Sequence, residues 1–363
     1  MAPSSYTRLV LAERPTGLIT ESTFRKEVVP YDLKADNKQV IVQVDYVSLD
    51  PGSRIWLDEA TTYVEPVQIG ETMRLFAIGT VVEAGEGSGF RAGDLVSGLL
   101  GWTEYVVIDG GSVAKVKVPE GATFVDFLGP LGHTGLTAYF GLLEVGKLQP
   151  GEKLLVSAAT GSIVCQIAKS RGAKVYAIAG TPEKCAWLEN DLGVDKALNY
   201  KSPTFQEDFI NSVDRFDVFF DNVGGEILDF ALTRLNVNAR VVLCGALSEY
   251  NARRSMGLTN YIKLLEQRAK IEGFIVSDYT EQFPEVLEYL SRLLLSGSLK
   301  RNYHIVEGLE QAPKAFNLLF SGHNTGKLLA KVLRRKNNNL RLLAFLISQP
   351  MCLGSFMAHY FEC

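Results

Sequence analysis

Four short stretches carry residue types whose spacing could do chemistry. The first, "SAATGSIVCQ" from Ser157 to Gln166, joins the strand-like run "KLLVS" to an apolar helix pattern. Small residues in such a turn let the backbone approach a pyrophosphate, whose charge then sits over the helix N-terminus. Ala159, Thr160, Gly161 and Ser162 are the candidate phosphate contacts, although a turn with one glycine also suits a plain strand-to-helix connection. The second stretch, "AGTPEK", ends the next strand about 20 residues on, where a carboxylate would grip the ribose of NAD. Gly180 and Thr181 stand at that tip, Glu183 is close, and Lys184 offers a charge for the 2′-phosphate of NADPH. Thr181 and Pro182 equally suit the cap and first position of a helix, which would leave Lys184 merely solvated. The third and fourth stretches, "DNVGGE" and "CGALSEYN", close two later strands, so Asn222, Cys244 and Gly245 would face a nicotinamide. On its own, "DNVGG" fits turn chemistry as well.

Periodicity gives the elements that must hold these residues. From Lys153 onward, apolar runs such as "KLLVSA", "KVYAIA", "KALNY", "FDVFFDN", "ARVVLCGA" and "KIEGFIV" alternate with helix patterns such as "GSIVCQIAKSRG" and "FQEDFINSV". Continuous apolar strands between amphipathic helices imply an α/β fold with a doubly wound parallel sheet covered on both faces. The N-terminal third reads differently. Short β-forming runs such as "QVIVQVDYVSLD" and "VAKVKVPEG", broken by Gly, Asp and Pro, imply a twisted, partly closed β-barrel. Leu131–Leu143 reads as a helix between the two, and "HIVEGLEQ" through "LLAKV" as a return to the barrel. The expected division is a barrel domain at 1–124, a nucleotide domain at 125–302, a return at 303–333 and an atypical extension at 334–363.

Composition removes several function classes. A chain of 363 residues, 47% apolar and 21% charged, suits two globular domains, and a net charge of −4 gives no basic footprint for nucleic acid. The five cysteines form no C-x-x-C pair and the four histidines no H-x-x-x-H spacing, so neither a disulfide framework nor a metal site is expected. The N-terminal stretch lacks an apolar signal core, which makes a cytoplasmic location the expectation. The uncharged run Leu342–Ala358 is 17 residues long and holds Gln349 and Pro350. A membrane span needs about 20 apolar residues, so none is expected there.

Taken together, "SLDPGSRIW", "GPLGHTGLTAYFGL", "AGTPEKCAWL", "LNYK", "DNVGGEILD", "CGALSEYN", "IEGFIVSDY" and "GHNTGKLLAKV" resemble the medium-chain dehydrogenase/reductase superfamily. Within it they are similar to the zinc-independent branch of NADPH-dependent alkenal and alkenone reductases, from about residue 5 to residue 332. The resemblance implies a Rossmann domain with a GroES-like β-barrel, NADPH as cofactor, a small-molecule enone or enal as substrate, and a homodimer. Lys184 and Tyr200 match the family's positions at the adenosine phosphate, and Asn222 and Asn324 those on the ribose and nicotinamide side. Thr137 joins the implied cofactor contacts. Tyr250 matches the tyrosine that hydrogen-bonds the substrate carbonyl, or else is a half-buried loop tyrosine.

Two features depart from the family pattern. Its turn usually reads A-A-x-G-x-x-G-x-x-x-G-Q, and "AATGSIVCQ" is about three residues shorter, with Cys165 in the place of the last glycine. Cys165 is therefore expected to push the helix away from the strand. The segment after Val332 also has no counterpart in the family pattern. The expected activity is hydride addition to the β-carbon of an α,β-unsaturated carbonyl compound. The alternatives are quinone reduction and a catalytically impaired binding or partner protein.

Overall fold

The computed structural model describes residues 3–60, 62–157, 161–252 and 254–332. The N-terminal β-forming runs become β1 (Ser5–Leu11), β2 (Phe24–Pro30), β3 (Gln39–Ser48), β4 (Ala77–Ala84), β5 (Leu95–Gly98), β6 (Tyr105–Asp109) and β7 (Val113–Lys115). The antiparallel pair β1–β2 was not singled out by the sequence patterns. β3 is the spine of this region. Its Val40, Val42, Val44 and Val47 are buried, and it pairs with β4 along most of its length and with β6 over its first half.

α1 (His133–Tyr139) leads out of this region and continues as a π-helical turn, Phe140–Val145. The expected helix is therefore present, but widened. The widening includes Gly141, where a Cβ would lie only 2.6 Å from Phe220 Cε2, so only glycine permits that approach.

The alternating segment folds into β8 (Lys153–Ser157), β9 (Lys174–Ala179), β10 (Lys196–Asn199), β11 (Phe216–Asp221), β12 (Leu235–Leu243) and β13 (Lys270–Gly273). Every pair among them is parallel, in the order β10-β9-β8-β11-β12-β13. The connecting helices are α2 (Gly161–Ser170), α3 (Pro182–Asn190), α4 (Phe205–Val213), α5 (Gly225–Ala231) and α6 (Ile262–Gln267), followed by α7 (Phe283–Leu295). Alternate strand residues face opposite layers. Leu154, Val156, Val218 and Phe220 pack with Val164 of α2 and Leu290 of α7. Leu155, Phe219 and Val241 pack with Phe209 of α4 and Leu228 of α5. Both faces being covered is why the strands read as unbroken apolar runs.

β13 stops at Gly273, short of the expected run to Val276, because its neighbour ends first. β12 pairs with it through Leu243↔Gly273, and the next residue, Cys244, turns to donate its N–H to Asp221 O at 2.8 Å. Val276–Gln282 becomes a 3₁₀ turn instead. Beyond α7 the chain forms β14 (Tyr303–Glu307), α8 (Ala312–Phe316), α9 (Leu318–Ser321) and β15 (Lys327–Lys331). β15 pairs with β3, completing a mixed sheet ordered β14-β15-β3-β4-β5-β7, with β6 also on β3. Among the described residues no helix is long and apolar enough to cross a membrane. The expectations for the extension from residue 334 lie outside the described residues.

Candidate functional site

In a sheet of this order the first and fourth strands, β8 and β11, lie side by side. The helices that follow them, α2 and α5, pack on opposite faces. That divergence opens a crevice at the carboxyl ends of the two strands, the place where doubly wound sheets bind ligands. Its floor is a hydrogen-bonded lattice. Ser157 Oγ, at the end of β8, donates to Asp221 Oδ1 at 2.9 Å and accepts from the Asn222 N–H at 2.9 Å. Asp221 also accepts from the N–H groups of Val223 at 3.0 Å and Gly224 at 2.9 Å. Asn222 closes the lattice by donating its side-chain amide to the Ser157 carbonyl. Burial raises the Asp221 pKa against these donors. The glycines of "DNVGGE" have a definite use here: Gly224 and Gly225 adopt φ of 69° and 55°, the left-handed region that glycine enters freely.

One end of the crevice opens into a cleft of about 620 Å³. Cys244, Gly245 and Tyr250 line it from the loop after β12, and Ile55 and Tyr63 line it from the barrel side. The loop is fastened to the turn that follows β11: Ser248 donates its N–H at 3.0 Å and its hydroxyl at 2.7 Å to Val223 O. Tyr250 Oη accepts the Ala246 N–H at 3.0 Å, so its own proton remains free to be donated. Burial raises the pKa of both Tyr250 and Tyr63, and each stays a protonated donor at neutral pH. A Cβ on Gly245 would stand 3.1 Å from the Tyr250 hydroxyl, so a side chain there would crowd it. Burial, with Asp221 nearby, pushes the Cys244 thiol up to about 12, which keeps it an unreactive wall.

The other end is basic and more exposed. Thr181 caps α3, accepting the Lys184 N–H at 3.3 Å, with Pro182 in the first turn as its sequence position implied. The Glu183 carboxyl is held below its ordinary range by its own backbone N–H and the Thr181 hydroxyl, so it belongs to the start of the helix. Lys184 Nζ reaches across to the Gly322 carbonyl at 2.6 Å. Burial, then the neighbouring Lys201, lowers the Lys184 pKa. Lys201 Nζ lies 5.7 Å from the centre of the Tyr200 ring, and that ring lies against Gly180, where a Cβ would be 3.0 Å from Cε1. Lys201 was missed as a candidate although "LNYK" contains it.

The glycine of the short turn does one job clearly. A Cβ on Gly161 would lie 2.7 Å from Val156 Cγ1, so the close approach of helix and strand falls at Gly161, the first residue of α2. Cys165 does not carry that approach; it is buried in the core that α2 shares with β8. The tight contact lies one helical turn before Cys165. Ser162 gives its carbonyl to Gln166 Nε2 at 3.0 Å within the helix. Ala159 and Thr160 lie outside the described residues.

Two expected residues join neither group by a direct hydrogen bond. Thr137 donates its hydroxyl to His133 O at 2.7 Å within α1, and Asn324, buried, donates its amide to Gly326 O at 3.0 Å. Near them Lys327 of β15 pairs with Asp50 and contacts Thr134 Oγ1 at 3.0 Å, joining the barrel to α1. Tyr63 was also missed, because no motif flags a tyrosine in the loop "TTYVEP"; only its place in the lining of the cleft that Tyr250 also lines does. Among the described residues no group of three or more His, Cys, Asp or Glu could hold a metal ion.

Comparison with known proteins agrees with this layout. The family model for the N-terminal domain of oxidoreductases matches residues 7–116, and that for zinc-binding dehydrogenases matches 159–292. A putative NADP-dependent oxidoreductase of Bacillus subtilis is 40% identical over 91% of this chain and 98% of its own length. The NADP(+)-dependent 2-alkenal reductase of Nicotiana tabacum is 33% identical over 90% of this chain and 97% of its own. The crystal structure of Vibrio vulnificus CurA in complex with NADPH superimposes with a TM-score of 0.83 at 33% identity, covering 90% of this chain and 99% of that one.

Proposed function

The chain belongs to the zinc-independent branch of the medium-chain dehydrogenase/reductase superfamily, among NADP-dependent oxidoreductases, and from that premise we propose that it reduces the C=C bond of α,β-unsaturated aldehydes or ketones. Its cofactor is NADPH, and the crevice fits it. The order of the parallel strands opens the sheet beside Ser157 and Asn222, no carboxylate stands at the tip of β9, and Lys184 and Lys201 lie together there. When bound, NADPH supplies the hydride for this chemistry.

The protein's own residues do the rest. Lys184 and Lys201 attract the adenosine phosphate, with Gly180 and Tyr200 beside them. Ala159, Thr160, Gly161 and Ser162 hold the pyrophosphate at the start of α2, and Thr137, Asn222, Cys244, Gly245 and Asn324 hold the nicotinamide side. Residues 1–124 and 303–333 supply the barrel wall of the substrate cleft, and 125–302 the cofactor crevice. The observation that carries the reading is Tyr250. Its oxygen is fixed by the Ala246 N–H while its proton is free, in a cleft large enough for a small organic molecule. It donates to the substrate carbonyl oxygen, where negative charge develops as the β-carbon is reduced. The α-carbon then takes a proton from solvent.

The test supplies the purified protein with NADPH and, in separate assays, an α,β-unsaturated aldehyde, its saturated counterpart and a quinone. We expect NADPH consumption with the unsaturated aldehyde and the saturated aldehyde as product. Formation of the allylic alcohol, or turnover with the quinone alone, overturns the reading.

A further inference from the structure

Resting on the role proposed for Tyr250, we infer that Arg54 and Asn251 form a positioning tether that sets the Tyr250 loop against the barrel wall of the cleft. Arg54 lies on the 3₁₀ turn Pro51–Leu57 of the barrel region and is only 3% exposed. Its guanidinium is satisfied almost entirely within that region. Nη1 pairs with Asp58 Oδ1 at 2.8 Å, Nη2 donates to Pro15 O at 2.9 Å, and Nε donates to Gly17 O at 3.1 Å. Each of the three guanidinium nitrogens thus has a partner within the barrel region. Yet Nε is shared with Asn251 Oδ1 at 3.0 Å, 197 residues away in sequence and adjacent to Tyr250.

The bond therefore serves the loop more than the arginine. On one side of Tyr250, Ser248 is fastened to Val223, in the turn that follows β11 of the nucleotide-side sheet. On the other side, Asn251 is fastened to Arg54. Tyr250 is thus strung between two anchors belonging to the two walls of the cleft, next to Ile55, which follows Arg54 and lines the same space. A planar guanidinium buried in the barrel is a rigid anchor, since its own rotamer is fixed by the three barrel partners. Loss of the tether frees the carboxyl-terminal end of the loop without unsatisfying Arg54.

The experiment measures kcat with an α,β-unsaturated aldehyde and the Kd of NADPH for the parent, Asn251→Ala, Asn251→Asp, Tyr250→Phe and the Asn251→Ala/Tyr250→Phe pair. Asn251 is half-buried, so its replacement should leave the fold intact. Asn251→Ala should lower kcat by roughly 10- to 100-fold, the scale of a misplaced reacting group, with NADPH affinity unchanged. Asn251→Asp keeps an oxygen for Arg54 and should restore most of the rate. In the Tyr250→Phe background, Asn251→Ala should add little, because the tether acts through that hydroxyl. Parent-level kcat in Asn251→Ala, or losses that multiply in the double variant, overturns the tether. Parent-level kcat in Tyr250→Phe instead removes the role of Tyr250 itself, and that result is read from a different protein.

Discussion

The two ends of the crevice are built by opposite means. At the basic end, Lys184, Tyr200 and Lys201 are partly or fully exposed, and the cations lie on flexible stems. Lys184 Nζ and Lys201 Nζ reach the Gly322 and Ser321 carbonyls of distant chain, while the side chains themselves sit around the tips of β9 and β10. At the cleft end, Ser157 and Asp221 are fully buried, and they are tied to each other and to the N–H groups of Asn222, Val223 and Gly224 by hydrogen bonds of 2.9–3.0 Å. Mobile charge suits recognition of a phosphate, which gains from attraction over a range of geometries. Fixed dipoles suit a reaction centre, where charge appears at one atom and no reorganisation is wanted. The difference predicts that damage at the first end should appear as lost affinity, and damage at the second as lost rate.

Tyr250→Phe is the strongest way to break that division. Removing one donor to a developing oxyanion costs roughly 100- to 1000-fold in kcat. NADPH affinity should stay near the parent value. A variant that lost affinity instead would place the hydroxyl on the cofactor and erase the distinction between the two ends.

β8 ends at Ser157 and α2 begins at Gly161, and lengthening the chain between them tests whether its shortness is limiting. Inserting Gly-Ala-Val between Thr160 and Gly161 gives "AATGAVGSIVCQ", restores both family glycines and leaves Gly161 against Val156. If the short turn displaces the cofactor by about 1 Å, the insertion should raise turnover by up to roughly 100-fold and tighten NADPH binding. Equal turnover and affinity in parent and insertion would show that the short turn holds the cofactor as well as the long one.

At the basic end the two lysines should differ. Lys184 is half-buried and anchored, so Lys184→Ala should weaken NADPH binding by about 1.5–3 kcal/mol, as for a hydrogen bond to a charged group. Lys201 is exposed, and its loss should cost about 0–1 kcal/mol. Titrations with NADPH and NADH check both values. Neither substitution should alter NADH binding, and equal NADH and NADPH affinity in the parent would contradict the assignment.

The smallest effect separates stability from function. His133 packs on Phe76, with ring centroids 4.4 Å apart, and burial, with Lys327 opposing Asp50 as lesser influences, brings its pKa from 6.5 down to about 4. Between those values the unfolded chain binds a proton that the folded chain refuses. Stability is therefore intact above about pH 6.5 and falls as the pH drops toward 4. His133 is nonetheless exposed as a residue, so solvent screening trims the free energy involved. His133→Gln should flatten the thermal-midpoint profile over that range; an unchanged slope would assign the acid sensitivity to another group.

Much of this was legible in the sequence because it is local or periodic. The strands from β8 to β11 and α4 fall where their patterns place them, since burial on both faces demands continuous apolar runs and amphipathic helices. Thr181 and Pro182 announce α3 because a cap acts on the next turn of its own chain. The ends of β12 and β13 were misplaced, because a strand's length depends on its neighbour's ladder. At the site the sequence named Lys184 and Tyr250, whose surroundings recur as short motifs, but it missed Lys201, which one exposed lysine among many does not reveal.

By itself, then, the sequence determined the alternation of strands and helices, the small residues that follow β8 and the residue types available at each strand tip, all set within a few residues of chain. Only the tertiary structure decided that Gly161 meets Val156, that Tyr63 and Tyr250 line one cleft, and that Arg54 holds Asn251. Those contacts join segments up to 197 residues apart. Their partners are chosen by how the sheets and helices pack, and no local pattern encodes that choice.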